Sequence, residues 1–241
     1  IYMKEDLIYF NNVVFYDQFR NKANISGKVV HDFFSNFMYY VELSGENFML
    51  YNGTEKMNPM FFGQAFGSGT GVISGDEQAM LISAQLKTEK NTLIRMNFME
   101  ETVSSYSFIT YKDSNQQFSD SITGQLNSSI IHHPAQDSEM EIKMDFRIEA
   151  TPEATIELVM DPVGGDILKG AGNGSMQFNW DMKNDPKLRG TYVIDKGSYN
   201  FTFQKIIERK FTIRSGSSVL FNGDPFQANL DVSAVYRVHA N

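Results

Sequence analysis

The sequence predicts an all-β protein built on a long antiparallel sheet with one apolar and one polar face. Three observations lead to this fold class. Apolar and polar residues alternate with a period of two in many segments, turn-forming residues separate those segments, and no such segment shows the 3.6-residue period of an amphipathic helix. Strands that follow one another at short spacing are typical of antiparallel sheets.

The clearest alternation lies between residues 139 and 149, where every second residue is apolar and all the others are charged. The apolar residues are Met140, Ile142, Met144, Phe146 and Ile148, and the charged ones are Glu139, Glu141, Lys143, Asp145, Arg147 and Glu149. The same pattern recurs over 176–183 and 198–204, and more briefly over 80–86 and 94–98. Because successive side chains of a strand point to opposite faces, each of these segments predicts a two-faced strand.

Turn-forming residues lie between these runs. Asn222-Gly223 and Lys196-Gly197 suit tight hairpin turns, which need positive φ. Glycine-rich segments such as 67–71 and 169–174 are expected to open strands and to allow strands to approach or bend. A turn and a return strand follow each of them, which is typical of an extended sheet that grows by hairpins.

The chain is predicted to form one continuous domain over residues 1–241. Residues 104–138 are rich in Ser, Asn, Gln and Asp and are predicted to be a polar loop or insertion, because two-faced strands occur on both sides of them. No stretch has the length of a transmembrane helix or the pattern of a signal peptide. The chain opens inside an apolar run and stops soon after its last strand pattern, so we expect a piece of a longer protein.

Composition excludes several classes of protein. The chain has 241 residues, of which 41% are hydrophobic and 13% aromatic, so it is too apolar to be disordered. It has no cysteine, which excludes disulfide scaffolds and cysteine-based zinc sites. A net charge of −8 with dispersed basic residues argues against a nucleic-acid partner.

Candidate catalytic groups are few and scattered. His132 and His133 are adjacent and would point to opposite sides of a strand, so a solvated loop is the preferred interpretation over a metal or general-base site. The carboxylates of 139–149 are interpreted as a wetted surface. Gly164-Gly165-Asp166 lacks the lysine and the following helix of a phosphate loop. We therefore predict no enzyme activity, no metal and no cofactor.

The apolar face needs a cover, because exposing a dozen large apolar side chains would cost more than an ordinary domain's net stability. A second sheet, the same sheet curling on itself, a bilayer or bound lipid could supply it. The residues alone favour a closed core between two sheets over an accessible groove. Thirteen methionines shift the balance slightly toward adaptable apolar binding.

The last third of the chain carries a long ordered motif. Residues 190–201 read G-x-Y-x-I-x-x-G-x-Y-x-F, residues 211–217 read F-x-I-x-x-G-S, and residues 222–236 read N-G-D-P-x-x-A-x-L-D-x-x-A-x-Y. This pattern resembles the C-terminal domain of the TamB family, the translocation and assembly module subunit of diderm bacteria. Residues 149–170 are also similar to that domain, and residues 54–63 resemble Bacteroidota-type members. Members of the family continue beyond the final A-x-Y, whereas this chain stops almost at once.

The resemblance implies a fold and a function. The implied fold is a long curved sheet that forms an open groove, a β-taco, with an apolar interior, as in AsmA-like bridge-like lipid-transfer proteins. The implied location is the periplasm, with the full-length protein tethered to the inner membrane. The implied partners are phospholipid acyl chains and a BamA-like outer-membrane barrel protein of the TamA type. The implied roles are lipid transport between the membranes and outer-membrane protein assembly, with no catalytic residue.

On this basis we predict a set of groove-lining residues and a partner-binding strand. The groove-lining set is Ile142, Met144, Phe146, Ile148, Ile156, Leu158, Met176, Phe178, Trp180, Tyr192, Ile194, Tyr199, Phe201, Phe203, Phe211, Ile213 and Phe221. The partner-binding strand carries Leu230, Val232, Ala234 and Tyr236. The alternative function is a secreted β-sandwich adhesin or glycan-binding module, against which speaks the position of Trp180, the only tryptophan, on an apolar stripe.

Overall fold

The computed structural model describes residues 1–97, 140–161, 164–203 and 207–237, and for Phe203 it describes the backbone alone. The strands are β1 (Tyr2–Met3), β2 (Leu7–Tyr16), β3 (Lys22–Asp32), β4 (Ser35–Gly53), β5 (Phe61–Asp76), β6 (Ala79–Thr88), β7 (Leu93–Asn97), β8 (Glu141–Ala150), β9 (Thr155–Asp161), β10 (Asp166–Asp181), β11 (Lys187–Phe203), β12 (Ile207–Ile213), β13 (Ser217–Gly223), β14 (Asn229–Asp231) and β15 (Ala234–Val235). One 3₁₀ turn, Pro225–Gln227, precedes β14. No α-helix occurs among these residues, so the all-β prediction is confirmed.

All these strands belong to one large curved sheet. Its order is β1-β2-β3-β4-β5-β6-β8-β10-β11-β12-β15, with β7 between β5 and β9, β9 beside β10, and β13 between β11 and β14. The described strands do not separate into two sheets, so the two-sheet sandwich alternative is wrong. Of the possible covers for the apolar face, the sheet itself provides one, as shown below.

Two pairings differ from the antiparallel prediction. β6 pairs with β8 in parallel and β7 pairs with β9 in parallel, whereas the other pairings are antiparallel. Parallel neighbours need a long connection that returns the chain to its starting edge, and residues 98–140 supply the length between β7 and β8. The predicted polar insertion 104–138 lies outside the described residues, and strands that precede it pair with strands that follow it, β6 with β8 and β7 with β9.

A line of gaps crosses the sheet. Each of the long strands β5, β10 and β11 faces two shorter strands that lie end to end: β6 and β7 on β5, β8 and β9 on β10, and β13 and β12 on β11. The gaps between the short strands fall at residues 89–92, 151–154 and 214–216. We call this line the crease.

The crease divides the sheet into two walls. The long wall consists of β1, β2, β3, β6, β8, β13 and β14 with residues 35–45 of β4, 67–76 of β5, 172–181 of β10 and 187–194 of β11. The short wall consists of β7, β9, β12 and β15 with residues 48–53 of β4, 61–66 of β5, 166–171 of β10 and 196–203 of β11.

Side-chain hydroxyls replace ladder hydrogen bonds along the crease. The Oγ1 of Thr92 donates to the carbonyl of Phe66 at 3.0 Å and accepts from the Phe66 N–H at 2.9 Å. The Oγ1 of Thr151 donates to the carbonyl of Thr88, whose own Oγ1 accepts from the Thr151 N–H, both at 2.8 Å. The hydroxyl of Ser217 donates to a backbone carbonyl at the third gap. These bonds satisfy backbone groups that the strand breaks would otherwise leave unpaired.

The two walls fold onto each other near the C-terminal end of the sheet. Leu158 on β9 pairs with Leu168 on β10. Further along β10, Met176 pairs with Gly190 on β11, and Gly190 pairs in turn with Phe221 on β13. In a flat sheet, Leu158 and Phe221 would lie about 30 Å apart, three strand spacings across and eight residues along. They line the same cavity of about 10 Å³. The sheet therefore bends sharply at the crease, and we call this packed region the closed end.

Glycines make the close strand approaches possible. A Cβ on Gly69 would lie 2.0 Å from the carbonyl oxygen of Gln85, and one on Gly172 would lie 2.0 Å from that of Val193. These glycines lie in the middle of β5 and β10, so the prediction that such segments open strands is wrong, whereas their role in close approach is confirmed.

The expected hairpin at Lys196-Gly197 is also wrong. The dipeptide lies inside β11, where Ala171 pairs with Lys196 and Gly172 pairs with Ile194. Asp195 is therefore an extra residue in β11, and its carboxylate accepts a hydrogen bond from the Nδ2 of Asn173 at 2.6 Å. Such a bulge bends its strand, which explains why glycine is needed here without a chain reversal.

A buried carboxylate ties three strands of the short wall together. Glu157 on β9 is only 6% exposed, and it pairs with Arg95 on β7 at 2.5 Å and with Lys169 on β10 at 3.0 Å. Burial acts to raise the pKa of this carboxyl, but the hydrogen bonds and charges of the two cations outweigh it, so the pKa of Glu157 lies below its ordinary value. The group therefore stays ionised and paired at neutral pH.

Candidate functional site: an apolar trough

The inner face of the folded sheet forms an apolar trough. On the long wall, opposite residues of β6, β8 and β10 share this face in successive cross-strand rows. From the crease outward, the rows are Leu86–Ile148–Met176, Ala84–Phe146–Phe178 and Ile82–Met144–Trp180, followed by Met80–Ile142. The alternation predicted for these strands therefore produces one continuous apolar surface.

On β10, the apolar residue nearest the crease is buried and those further out are partly exposed. Met176, in the row nearest the crease, is only 8% exposed, whereas Phe146, Phe178 and Trp180 remain partly exposed. The rings of Phe146 and Phe178 stack at 5.8 Å, and Phe178 meets Trp180 edge-on at 6.5 Å. The indole N–H of Trp180 donates to the carbonyl of Asn184 at 3.0 Å, so its polar atom is satisfied at the outer end of the strand.

The short wall carries a second aromatic cluster. Tyr199 lies 6.4 Å from Phe201 and 6.2 Å from Phe211, and Phe211 lies 5.5 Å from Tyr236. The hydroxyl of Tyr199 donates to the Asp166 carboxylate at 3.3 Å. Burial, together with this negative charge, raises the pKa of Tyr199, so it is a neutral donor at physiological pH.

The structure separates the predicted groove-lining residues into two groups. The fully buried ones belong to the core of the closed end: Leu158, Met176, Tyr192, Ile194, Ile213 and Phe221. The partly exposed ones are Ile142, Met144, Phe146, Ile148, Ile156, Phe178, Trp180, Tyr199, Phe201 and Phe211. The side chain of Phe203 lies outside the described part of the structure. A cavity of about 10 Å³ has no room for an acyl chain, so only the second group offers accessible surface.

The predicted partner-binding strand lies at one end of the sheet. β14 pairs only with β13 and β15 only with β12, which leaves their outer edges without a partner strand among the described residues. Leu230 is 39% and Tyr236 42% exposed, and Ala234 is also exposed. Val232, in contrast, packs against the core of the closed end.

Several features were missed by sequence reasoning. The Asp17 carboxylate accepts hydrogen bonds from the N–H groups of Phe19, Asn21 and Met49, and so holds the β2–β3 turn against β4. Burial acts to raise the pKa of Asp17, but these hydrogen bonds lower it overall. The outer face of β2 and β4 is also less polar than the alternation in the later strands would suggest. Tyr9 on β2 and Tyr40 on β4 are 45% and 42% exposed on this face.

The described residues contain no group of three or more His, Asp or Glu side chains placed to hold a metal ion. His132 and His133 lie outside this part of the chain. No helix in the described ranges is long and apolar enough to cross a membrane.

A single curved sheet whose inner face is apolar and partly accessible defines the class of hydrophobic-groove proteins. Comparison with protein families identifies the member of that class: the family model of the TamB C-terminal domain matches residues 16–241. The chain belongs to this family. Searches of curated proteins and of solved structures found no match.

Membership places the chain in a known functional context. It implies a role in the translocation and assembly module, in lipid transport or outer-membrane protein assembly. The family is a non-enzymatic transport and assembly module of the cell envelope that spans the periplasm, and it works with TamA, a BamA-like barrel protein.

Proposed function

We propose that the trough carries phospholipid acyl chains between the inner and outer membranes and that the C-terminal edge of the sheet docks onto the BamA-like barrel partner. The observation that carries the first part is the continuous row structure of β6, β8 and β10, in which large apolar side chains remain partly exposed on one face. Acyl chains along this surface would remove it from water, which is worth about 25 cal/mol per Å² of apolar area.

The accessible residues define where the acyl chains of the lipid would lie. The acyl chains would contact Ile142, Met144, Phe146, Phe178 and Trp180 on the long wall. The closed end blocks further passage along the inner face because Tyr192, Phe221 and Leu158 fill it almost completely. The buried members of the predicted set therefore support the wall without touching lipid.

Replacing Phe146 or Phe178 with aspartate is expected to reduce lipid retention strongly. A carboxylate in this row would be desolvated by a bound acyl chain without a counter-ion, so we expect about tenfold less co-purified phospholipid per protein. The measurement is mass spectrometry of lipid extracted from the purified chain, together with photo-crosslinking from position 146.

The matched control is Gln85→Asp. Gln85 is exposed on the opposite face of β6 and pairs with Arg147, so the same new charge gains a neighbour of opposite sign. Lipid retention should be unchanged in this variant. If wild-type protein carries no lipid, or if the Phe146→Asp and Phe178→Asp proteins fold and retain it, the trough is not a lipid site.

The second part of the proposal concerns the unpaired outer edges of β14 and β15. An exposed edge presents backbone donors and acceptors that a strand of the barrel's periplasmic domain could extend. Because the chain has no cysteine, one introduced thiol reports a contact without ambiguity.

We expect Asn229→Cys in β14 to cross-link to the purified periplasmic domain of the barrel partner. Gln177→Cys is the control, because Gln177 is also exposed but lies within β10, where it pairs with Arg147 of β8 on one side and Arg189 of β11 on the other. Equal cross-linking from both positions, or cross-linking from neither, would contradict docking through this edge.

A further inference from the structure

The turn between β3 and β4 presents two phenylalanines to solvent. Phe33 is 93% and Phe34 69% exposed, the first being the most exposed large apolar side chain among the described residues. Both have positive φ, at 46° and 62°, a conformation that glycine and asparagine adopt readily and aromatic residues do not. The sequence therefore places two large apolar side chains where backbone preference and the hydrophobic effect both disfavour them.

A buried histidine supports this turn. His31 is 3% exposed, its ring stacks on Phe34 at 4.7 Å, and it lies 5.8 Å from the ring of Phe37. Its Nδ1 accepts a hydrogen bond from the Phe34 N–H at 3.3 Å, whereas its Nε2 is buried without a hydrogen-bond partner. The hydroxyl of Ser35 donates to the carbonyl of Asp32 and closes the turn. These contacts fix Phe34 in place and direct the pair outward.

The surroundings of the turn are acidic. The β1–β2 turn lies beside it, since the His31 N–H donates to the carbonyl of Asp6 at 3.0 Å. The β5–β6 turn lies on the other side, where Glu77 accepts from the Phe37 N–H at 3.2 Å. One cation and five anions belong to these three turns, a local charge of 1 − 5 = −4: Lys4, Glu5, Asp6, Asp32, Asp76 and Glu77.

We propose that the Phe33–Phe34 turn inserts into the interface of a zwitterionic phospholipid leaflet. The exposed apolar surface comes from two consecutive residues of one tight turn, flanked in the chain by the polar residues Asp32 and Ser35, which suits the shallow level at which aromatic side chains sit in bilayers. The acidic surroundings complement the ammonium groups of zwitterionic headgroups and repel anionic ones. This inference is independent of lipid binding in the trough.

The test is co-flotation of the purified chain with phosphatidylethanolamine–phosphatidylcholine vesicles. We expect binding, and we expect the double variant Phe33→Ser, Phe34→Ser to weaken it by more than tenfold, because each buried phenylalanine contributes about a tenfold factor or more. Adding phosphatidylglycerol to the vesicles should weaken wild-type binding. Tyr16→Ser is the control, since Tyr16 is 64% exposed at the opposite end of β2.

A second measurement locates the turn in the bilayer. In a Trp180→Phe background, the Phe33→Trp fluorophore should be quenched by lipids brominated near the headgroup end of the acyl chain. Absence of quenching, vesicle binding that survives the double variant, or cross-links from the turn to a protein without any vesicle binding would overturn the proposal. If the trough retains no lipid, the proposal for the turn is unaffected. The Phe33→Ser, Phe34→Ser variant is expected to retain trough lipid, so the two proposals are tested separately.

Discussion

Replacing Tyr192 with alanine is expected to lower the free energy of unfolding by about 3–5 kcal/mol, the usual cost of removing a buried aromatic side chain. Tyr192 is 3% exposed and lines the closed end together with Leu158 and Phe221, one from each wall. Its removal would leave a void where the two walls meet, and the strands around it cannot collapse without losing their register. Urea unfolding monitored by circular dichroism measures the loss.

Tyr192→Phe separates the ring from the hydroxyl. The ring is retained, so stability at neutral pH should change by only about 1 kcal/mol. Burial, the main cause, raises the pKa of Tyr192 to about 12 from an ordinary value of 10.0. The folded state therefore holds this proton more tightly than the unfolded state does. The resulting contribution to the free energy of unfolding is full below pH 10 and is lost as the pH rises toward 12. The Phe variant should lose less stability over that interval, and an unchanged alkaline profile would argue against burial of the hydroxyl.

Replacing Gly172 with alanine is expected to cost about 3 kcal/mol, at the upper end of what overpacking costs. The added Cβ would lie 2.0 Å from the Val193 carbonyl oxygen and 2.9 Å from the Ile194 Cα, both backbone atoms of the neighbouring strand. Neither can move as a flexible side chain does, so β10 and β11 would have to separate beside the bulge. Thermal and urea unfolding of the variant measure the effect.

Gly71→Ala provides the matched control in β5. Its Cβ would lie 3.4 Å from the Ser83 carbonyl oxygen and 3.7 Å from the Ala84 Cβ, which is ordinary contact. We expect a change of less than about 1 kcal/mol, with stabilisation possible because alanine restricts the unfolded chain. Similar losses in the two variants would mean that the close approach at Gly172 is not what requires glycine.

Much of the trough could be predicted from alternation alone. The alternation predicts that Phe146, Phe178 and Trp180 lie on the apolar face, and the observed register places them in adjacent rows of that face. This works because the side-chain period of a strand is fixed at two, whatever its partners. The parallel pairing of β6 with β8 could not be predicted in the same way, since strand direction depends on where a long connection returns the chain.

Local signals were misleading where the same residue type serves two purposes. Lys196-Gly197 has the composition of a hairpin turn, but the glycine lies opposite Gly170 inside the sheet, where two strands come close. Phe33 and Phe34 gave no turn signal at all, because neither residue type favours positive φ. Pairing with β10 sets the conformation at Lys196-Gly197, and packing of the buried His31 against Phe34 sets it in the β3–β4 turn, and neither is visible in turn composition.

Strand alternation is enough to assign residues to the apolar face, and the ordered motif of 190–236 is enough to indicate the family. Which part of that face is accessible depends on how the sheet folds. Tyr192 and Phe146 are equivalent in pattern, yet one is sealed in the closed end and the other lines the trough. The physical reason is the bend at the crease: burial depends on residues that meet across it, such as Leu158 and Phe221, and strand periodicity contains no information about such distant contacts.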